Sequence, residues 1–303
     1  MRITNSMMAQ NLLLNIENTQ TSMFDTQNQL STGYKINQPS DDPVGTGNVM
    51  QLKNTLSTVG QWQKNASSAL GVMNTTSSSL SSIISMVQRI RELAVQGTND
   101  TLSASDRTAL ASQVDQITHQ IQFTANTQSG DRYIFGGSNA SQPPYVSGQT
   151  WAGNTDPVNF QLGNNYSVDT SVNGNQVFNT PTTGGEGLLS GSSTGTGGIL
   201  ADLSSALKNN NPSAISDTLS TLDSNIDNLT AINADLGARI NSVTSLQQQL
   251  TTSSTNLQQS ISSLQDTDMA QTISNFTQIQ NTYNAALAVG AKIIQPSLVN
   301  FLT

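Results

Sequence analysis

The sequence predicts a mainly α fold: an elongated antiparallel coiled-coil rod of helices built from both chain ends, with a small β-rich domain inserted between them. Three observations predict it. Two long segments repeat apolar residues every seven positions, the spacing of a coiled-coil seam. A central stretch breaks that pattern with glycine and proline. Each terminus carries a single thin apolar stripe. Composition agrees, because 35% of the 303 residues are apolar and 10% charged, against roughly 45–50% and 25% in an average globular chain. Serine, threonine, asparagine and glutamine supply about 45%. Such a chain suits thin objects whose side chains mostly face water or another subunit.

In chain order, the N-terminal stripe is Leu12, Ile16, Met23 and Leu30, and it breaks near Pro39. Asp41 and Asp42 follow in Pro39-Ser-Asp-Asp-Pro43-Val-Gly45, a run of turn-forming residues. The first ladder runs Leu52, Val59, Ala66, Met73, Leu80, Val87 and Ala94, predicting a helix over about 46–96. Its companion positions are Leu56, Gln63, Leu70, Ser77, Ile84 and Arg91, half of them polar. Gly97-Thr-Asn-Asp100 then reverses the chain. Ser103-Ala-Ser-Asp106 reads as a capping box opening a helix over about 104–128 with the stripe Leu110, Val114, Ile117, Ile121.

Residues 136–200 hold 13 of the 22 glycines and four of the eight prolines, and no Lys or Arg lies between Arg132 and Lys208, so this stretch is a separate compositional region. Alternation in Val158–Leu162 and Tyr166–Val168, with Asn173-Gly174 as a type I′ hairpin signal, predicts a β-rich domain at about 136–182. The Gly/Ser/Thr-rich stretch 183–198 reads as a flexible return linker. The second ladder, Ile215, Leu222, Leu229, Leu236, Val243, Leu250, Leu257 and Leu264, predicts a helix about 75 Å long. Its companions include Asn233, Gln247 and Ser254. Polar groups at seam positions fix register at some cost in stability, or they mark edges facing water; Arg91, Asn233 and Gln247 are the candidates. Arg91 is expected to pair with an acidic side chain. The C-terminal stripe is Ile273, Phe276, Tyr283, Leu287, Ile294 and Leu298. Both terminal stripes are too thin to hold a lone helix, so they are expected to pair with each other and with copies of themselves. The domains are therefore 1–42 with 266–303 as the terminal pair, 43–135 with 199–265 as the rod, and 136–198 as the insertion.

Several chemistries are excluded. No Cys means no disulfide framework and no thiolate metal site, and the single His119 excludes a His-rich one. A net charge of −8 does not suit nucleic-acid binding. No apolar run is long enough to span a membrane, and the first residues lack the apolar core of a cleaved secretion signal. Asp41-Asp42 is one carboxylate pair without a third ligand nearby and reads as a turn. His119 lies off its helix stripe and reads as solvated. Gly195-Thr-Gly-Gly198 lacks the Lys-Ser/Thr of a phosphate loop. Tyr145, Trp151, Phe160, Tyr166 and Phe178 form either a glycan-stacking face or the insertion's core. No nucleophile, base and oxyanion donor can be assembled, so no enzyme activity, catalytic residue, metal or cofactor is expected.

The run Gln29-Leu-Ser-Thr-Gly-Tyr-Lys-Ile-Asn-Gln-Pro-Ser-Asp-Asp-Pro-Val-Gly45 closely resembles the N-terminal motif of the flagellin family. Arg89-Ile-Arg-Glu-Leu-Ala-Val-Gln-Gly-Thr-Asn99 is a second match. The third is Asp266-Thr-Asp-Met-Ala270 with Ala285-Ala-Leu-Ala-Val-Gly290 and Ser297-Leu-Val-Asn-Phe-Leu302. Within the family, the modest length and Asp131-Arg-Tyr-Ile-Phe-Gly-Gly137 resemble the branch that joins hook to filament, with a short filament flagellin as the alternative. A glycan-binding or enzymatic flagellar surface protein is the more distant one. The resemblance implies an extracellular structural component at the distal end of the hook. It implies export in unfolded form with a dedicated chaperone, and a closed homo-oligomeric ring of about eleven subunits. That ring would sit between the other junction protein and flagellin. It also implies that the terminal stripes order on assembly, which makes them the candidate subunit interface.

Overall fold

A computed structural model describes residues 5–139, 142–146, 150–179, 187–189 and 198–294. Seven helices carry most of these residues: α1 (Asn5–Thr32), α2 (Pro43–Gly97), α3 (Ala104–Ala125), α4 (Gly174–Phe178), α5 (Gly198–Lys208), α6 (Pro212–Gln265) and α7 (Met269–Ile294). Six short strands, β1 (Gln128–Ser129), β2 (Arg132–Tyr133), β3 (Tyr145–Val146), β4 (Thr150–Trp151), β5 (Asn159–Gly163) and β6 (Tyr166–Asp169), pair as three antiparallel two-stranded ladders. The fold is mainly α with a small β-rich insertion.

Both long helices begin the same way. Asp42 precedes α2 and accepts the Gly45 N–H at 2.9 Å; Asn211 precedes α6 and accepts the Ala214 N–H at 3.2 Å. Each is followed by proline at the first helical position, where the missing N–H costs nothing. The capping box of α3 is present, Ser103 and Asp106 bonding reciprocally. Serine and threonine are poor helix formers because they compete for backbone groups. Here they return that bond to their own helix: Thr19, Ser22, Thr75, Ser82, Thr230 and Thr277 each donate to the carbonyl four residues back.

The chain packs as two units, residues 59–252 and residues 1–58 with 253–303. In the 59–252 unit, Val59, Ala66, Met73, Leu80, Val87 and Ala94 of the first ladder are buried, as are Ile215, Leu222, Leu229, Leu236, Val243 and Leu250 of the second. Their partners step along α2 and α6 in opposite directions, so this pair is antiparallel. The α3 stripe closes on α5, where Ser204 donates to Asp115 at 2.6 Å and Lys208 pairs with it at 2.8 Å.

The insertion is tied to the helices of the same unit. Asn65 donates to the Gln161 carbonyl at 2.8 Å, Asn228 to that of Gln176 at 2.9 Å, and Arg239 to that of Asp169 at 3.2 Å. Its centre is aromatic: Phe178 packs edge-on against Phe135 and Tyr145, with centroids 5.3 and 5.0 Å apart.

Three expectations are corrected. Asn173-Gly174 is not a hairpin turn; Asn173 caps α4, its side chain accepting the Asn175 N–H at 2.9 Å, and a local Asx bond has replaced the strand reversal. The helix over 104–128 stops at Ala125 because Gln128 pairs with Tyr133 in the β1–β2 ladder. Within the stretch read as linker, Leu188 and Leu189 are fully buried, and Leu189 N–H donates to the Phe178 carbonyl at 3.0 Å. Two adjacent leucines there anchor the return of the chain. Residues 183–186 and 190–197 lie outside the described residues, as do Gly195 to Gly197 of the glycine run.

Candidate assembly surfaces

In the unit formed by residues 1–58 and 253–303, α1 and α7 lie side by side. A Cβ on Gly290 would meet Leu12 Cδ2 at 3.0 Å and Ile16 Cδ1 at 3.9 Å, so the small residue of α7 receives the two large ones of α1. Further along, Asn18, Thr19, Ser22 and Thr26 of α1 line a polar groove with Asn275, Gln278, Ile279 and Thr282 of α7. Low numbers face high ones, so the pair is antiparallel.

Leu12, Ile16, Met23, Leu30, Phe276 and Tyr283 are half-buried, whereas Ile273 and Leu287 are exposed. Leu298 lies outside the described residues, and so does the side chain of Ile294. Other apolar side chains lie open that the stripe reading did not single out: Leu13, Leu14 and Phe24 on α1, 54%, 57% and 52% exposed, and Val289 on α7, 50% exposed. A stripe read only at its regular spacing misses these adjacent positions.

The helix breaks of this unit coincide. The Lys35 N–H donates to the Gln265 carbonyl at 2.8 Å, and the Thr267 N–H to the Gly33 carbonyl at 2.9 Å. Gly33 has φ +77°, the left-handed region that favours glycine. Asp41 and Asp42 have separate tasks here. Asp41 Oδ2 accepts the N–H groups of Gln38 at 2.8 Å and Asn37 at 2.9 Å, and those two bonds hold its carboxyl below the ordinary range. Asp42 caps α2, and Ile36 is buried beside that cap.

In the 59–252 unit, Arg91 pairs with Asp223 through both carboxylate oxygens, which raises its pKa. Asn233 accepts from Ser77 Oγ at 2.9 Å, and Gln247 donates to Ser67 Oγ at 2.9 Å. His119 is exposed and faces Gln122. Tyr145 and Phe178 are buried, Trp151 and Phe160 half-buried and Tyr166 exposed, so most of the aromatic set serves as core. Burial pushes the Tyr145 phenol upward. Burial also opposes ionisation of Asp115, but the bonds from Lys208 and Ser204 outweigh it and hold the carboxyl below its ordinary value.

One residue escaped the reading of the sequence. Arg107, 4% exposed, donates to the carbonyls of Gly97 at 2.9 Å and Asn99 at 2.8 Å and to the Asn210 side chain. It closes the end of α2, where a cation suits the helix dipole. Its place one residue after the capping box gave no apolar signal. Among the described residues, no three His, Asp or Glu side chains converge as metal ligands, and no helix is long and apolar enough to cross a membrane.

The family model for the bacterial flagellin N-terminal helical region matches residues 3–140, and that for the C-terminal helical region matches residues 219–302. The flagellar hook-associated protein 3 of Escherichia coli (strain K12) is 27% identical over 304 residues, covering 94% of this chain and 96% of its own. The flagellar filament 30.7 kDa core protein of Treponema maltophilum is 27% identical over 288 residues, covering 95% and 93%. The crystal structure of Bacillus cereus FlgL matches the fold with a TM-score of 0.59 at 23% identity, covering 70% of this chain and 99% of that one.

Proposed function

The chain belongs to the bacterial flagellin family, and from that premise we propose that it is a structural component of the flagellum. Its place is an adaptor ring at the hook–filament junction, between the preceding junction protein and flagellin. The end-to-end match to a hook-associated protein 3 supports this place. The observation that carries the reading is the set of apolar side chains that the α1/α7 pair leaves open, Leu13, Leu14 and Phe24 on one helix and Ile273, Leu287 and Val289 on the other.

Burying one Leu-sized side chain contributes about 1.5–3 kcal/mol, so a neighbouring subunit that covers these residues offsets the ordering entropy of two thin helices. The interface then comprises Leu12, Ile16, Met23, Leu30, Ile273, Phe276, Tyr283, Leu287, Ile294 and Leu298 together with the exposed residues beside them. The homo-oligomeric ring, the export chaperone and passage through the flagellum without a cleaved signal belong to the same reading.

A short filament flagellin is the second reading, favoured by the full-length match to a filament core protein at the same identity. Gold labelling of isolated flagella separates them. One band at the distal end of the hook supports the adaptor, while label along the whole filament overturns it.

A further inference from the structure

The polar contacts between α2 and α6 in the 59–252 unit are not scattered. Gln63 donates to Thr251 Oγ1 at 3.4 Å, Gln247 to Ser67 Oγ at 2.9 Å, and Asn233 to Ser81 Oγ at 3.4 Å, while Arg91 holds Asp223. From pair to pair, advances of 4, 14 and 10 residues along α2 are matched by equal retreats along α6. One stagger therefore satisfies all four. Gln63, Ser77 and Arg91 recur every second heptad, as do Asn233 and Gln247, with Leu70 and Ile84 between the first three, Ile240 between the last two and Ile226 one heptad before Asn233.

The buried ladders constrain that stagger only through side-chain size, since a slip of one heptad lays apolar residues on apolar residues again. We propose that these polar rungs, with the insertion's bonds to both helices, select the register of α2 against α6, and that among the rungs only Arg91–Asp223 excludes slips of two heptads. In the observed pairing, a seven-residue slip in either direction sets Ser81 against Ile226 or Ile240, moves Asn233 onto Asn74 or Gln88, and sets Arg91 against Ser216 or Thr230, so a rung and the ion pair are both lost. A fourteen-residue slip is a different matter. It brings Ser67 to Asn233 in one direction, or Ser81 to Gln247 in the other, so part of the hydrogen bonding is recovered. The ion pair is not recovered. Asp223 then faces Ser77, or Arg91 faces Gly237. Hydrogen bonds with a two-heptad period leave a two-heptad ambiguity, and one non-repeating charge pair removes it.

The chain has no cysteine, so spin labels on Lys64→Cys and Gln248→Cys read the stagger directly. The whole chain, unfolded and refolded, is expected to give a single separation. Replacing Gln63, Ser77, Asn233 and Gln247 by leucine is expected to raise the melting temperature yet add a second population displaced by about 10 Å, the rise of seven helical residues. Arg91→Asp alone and Asp223→Arg alone are each expected to add a population displaced by about 21 Å. The double reversal is expected to restore one separation. A single native separation in the leucine variant and in both single reversals would overturn the proposal. Should the leucine variant fail to fold, the reversals decide the matter alone. The measurement uses the unassembled chain, so its failure is distinguishable from failure of the adaptor reading.

Discussion

Arg107 shows how a buried cation can be held by neutral oxygens. Its three partners come from the end of α2, the following turn and Asn210, whose φ of +51° is itself unusual for a residue other than glycine. Removing the guanidinium leaves the Gly97 carbonyl and the Asn210 side-chain oxygen without that donor, while the Asn99 carbonyl keeps the Leu102 N–H, and hydrogen bonds to charged groups contribute about 1.5–3 kcal/mol each. Arg107→Met is expected to destabilise the chain by about 3 kcal/mol, read from the denaturant midpoint at unchanged slope. Gly45 is constrained for another reason: a Cβ there would stand 2.2 Å from Asp42 Oδ2 and 2.8 Å from Ile36 Cδ1. Gly45→Ala is expected to displace the cap and cost about 1–2 kcal/mol. Asp41 makes a pH prediction. Its folded pKa is depressed, so its bonds are present above the ordinary carboxylate range and are lost as pH falls through the lowered value. The amide signals of Gln38 and Asn37 should titrate together there, and Asp41→Asn should abolish the transition. Asp41 was legible as part of a turn, but the roles of Arg107 and Gly45 were not, since they depend on carbonyls and side chains, such as those of Gly97 and Ile36, that only the fold brings near.

At the scale of elements, the long helices were legible because their seven-residue spacing persists beyond what any local preference could imitate. Of the helix starts only that of α3 was legible, through Ser103-Ala-Ser-Asp106; Asp42-Pro43 read as a turn, although it caps α2 three residues before the expected start. The insertion was less so. Val158–Leu162 and Tyr166–Val168 alternate and do form β5 and β6, but Asn173-Gly174 offered two local bonds of similar quality and tertiary packing chose the cap. Leu188-Leu189 looked like linker because its neighbours are glycine and serine, and burial depended on Phe178, distant from the motif being read. The α1/α7 pairing followed from two matching stripes. Which side chains remain open did not, because that depends on the rotation of one helix against the other. Gly290 sits where that rotation is set. Gly290→Leu is expected to part the helices at Leu12, lowering helical content near both ends as seen by hydrogen exchange, with the 59–252 unit unaffected.

For the whole molecule, the decisive test removes residues 273–303. The truncated chain is expected to remain soluble, with the melting of the 59–252 unit unchanged, and to be absent from isolated flagella; normal incorporation defeats the adaptor reading. The family could be read from motifs near both ends, and the junction branch from the modest length and Asp131-Arg-Tyr-Ile-Phe-Gly-Gly137, in keeping with the match to a hook-associated protein 3, although a filament core protein matches along nearly the same length.

The back-bonded hydroxyls have a consequence for any surface this chain presents. Thr19, Ser22, Thr277 and their like have already spent their protons on their own helices, and only 10% of residues are charged. A partner therefore meets a coat of hydroxyls that mainly accept hydrogen bonds and of uncharged Asn and Gln amides, broken by isolated greasy spots such as Leu14 and Phe24. Attachment to such a coat should respond weakly to added salt and should carry a clearly negative heat-capacity change. Titration calorimetry across temperature and ionic strength would register both, marking a joint tightened by warmth rather than by charge.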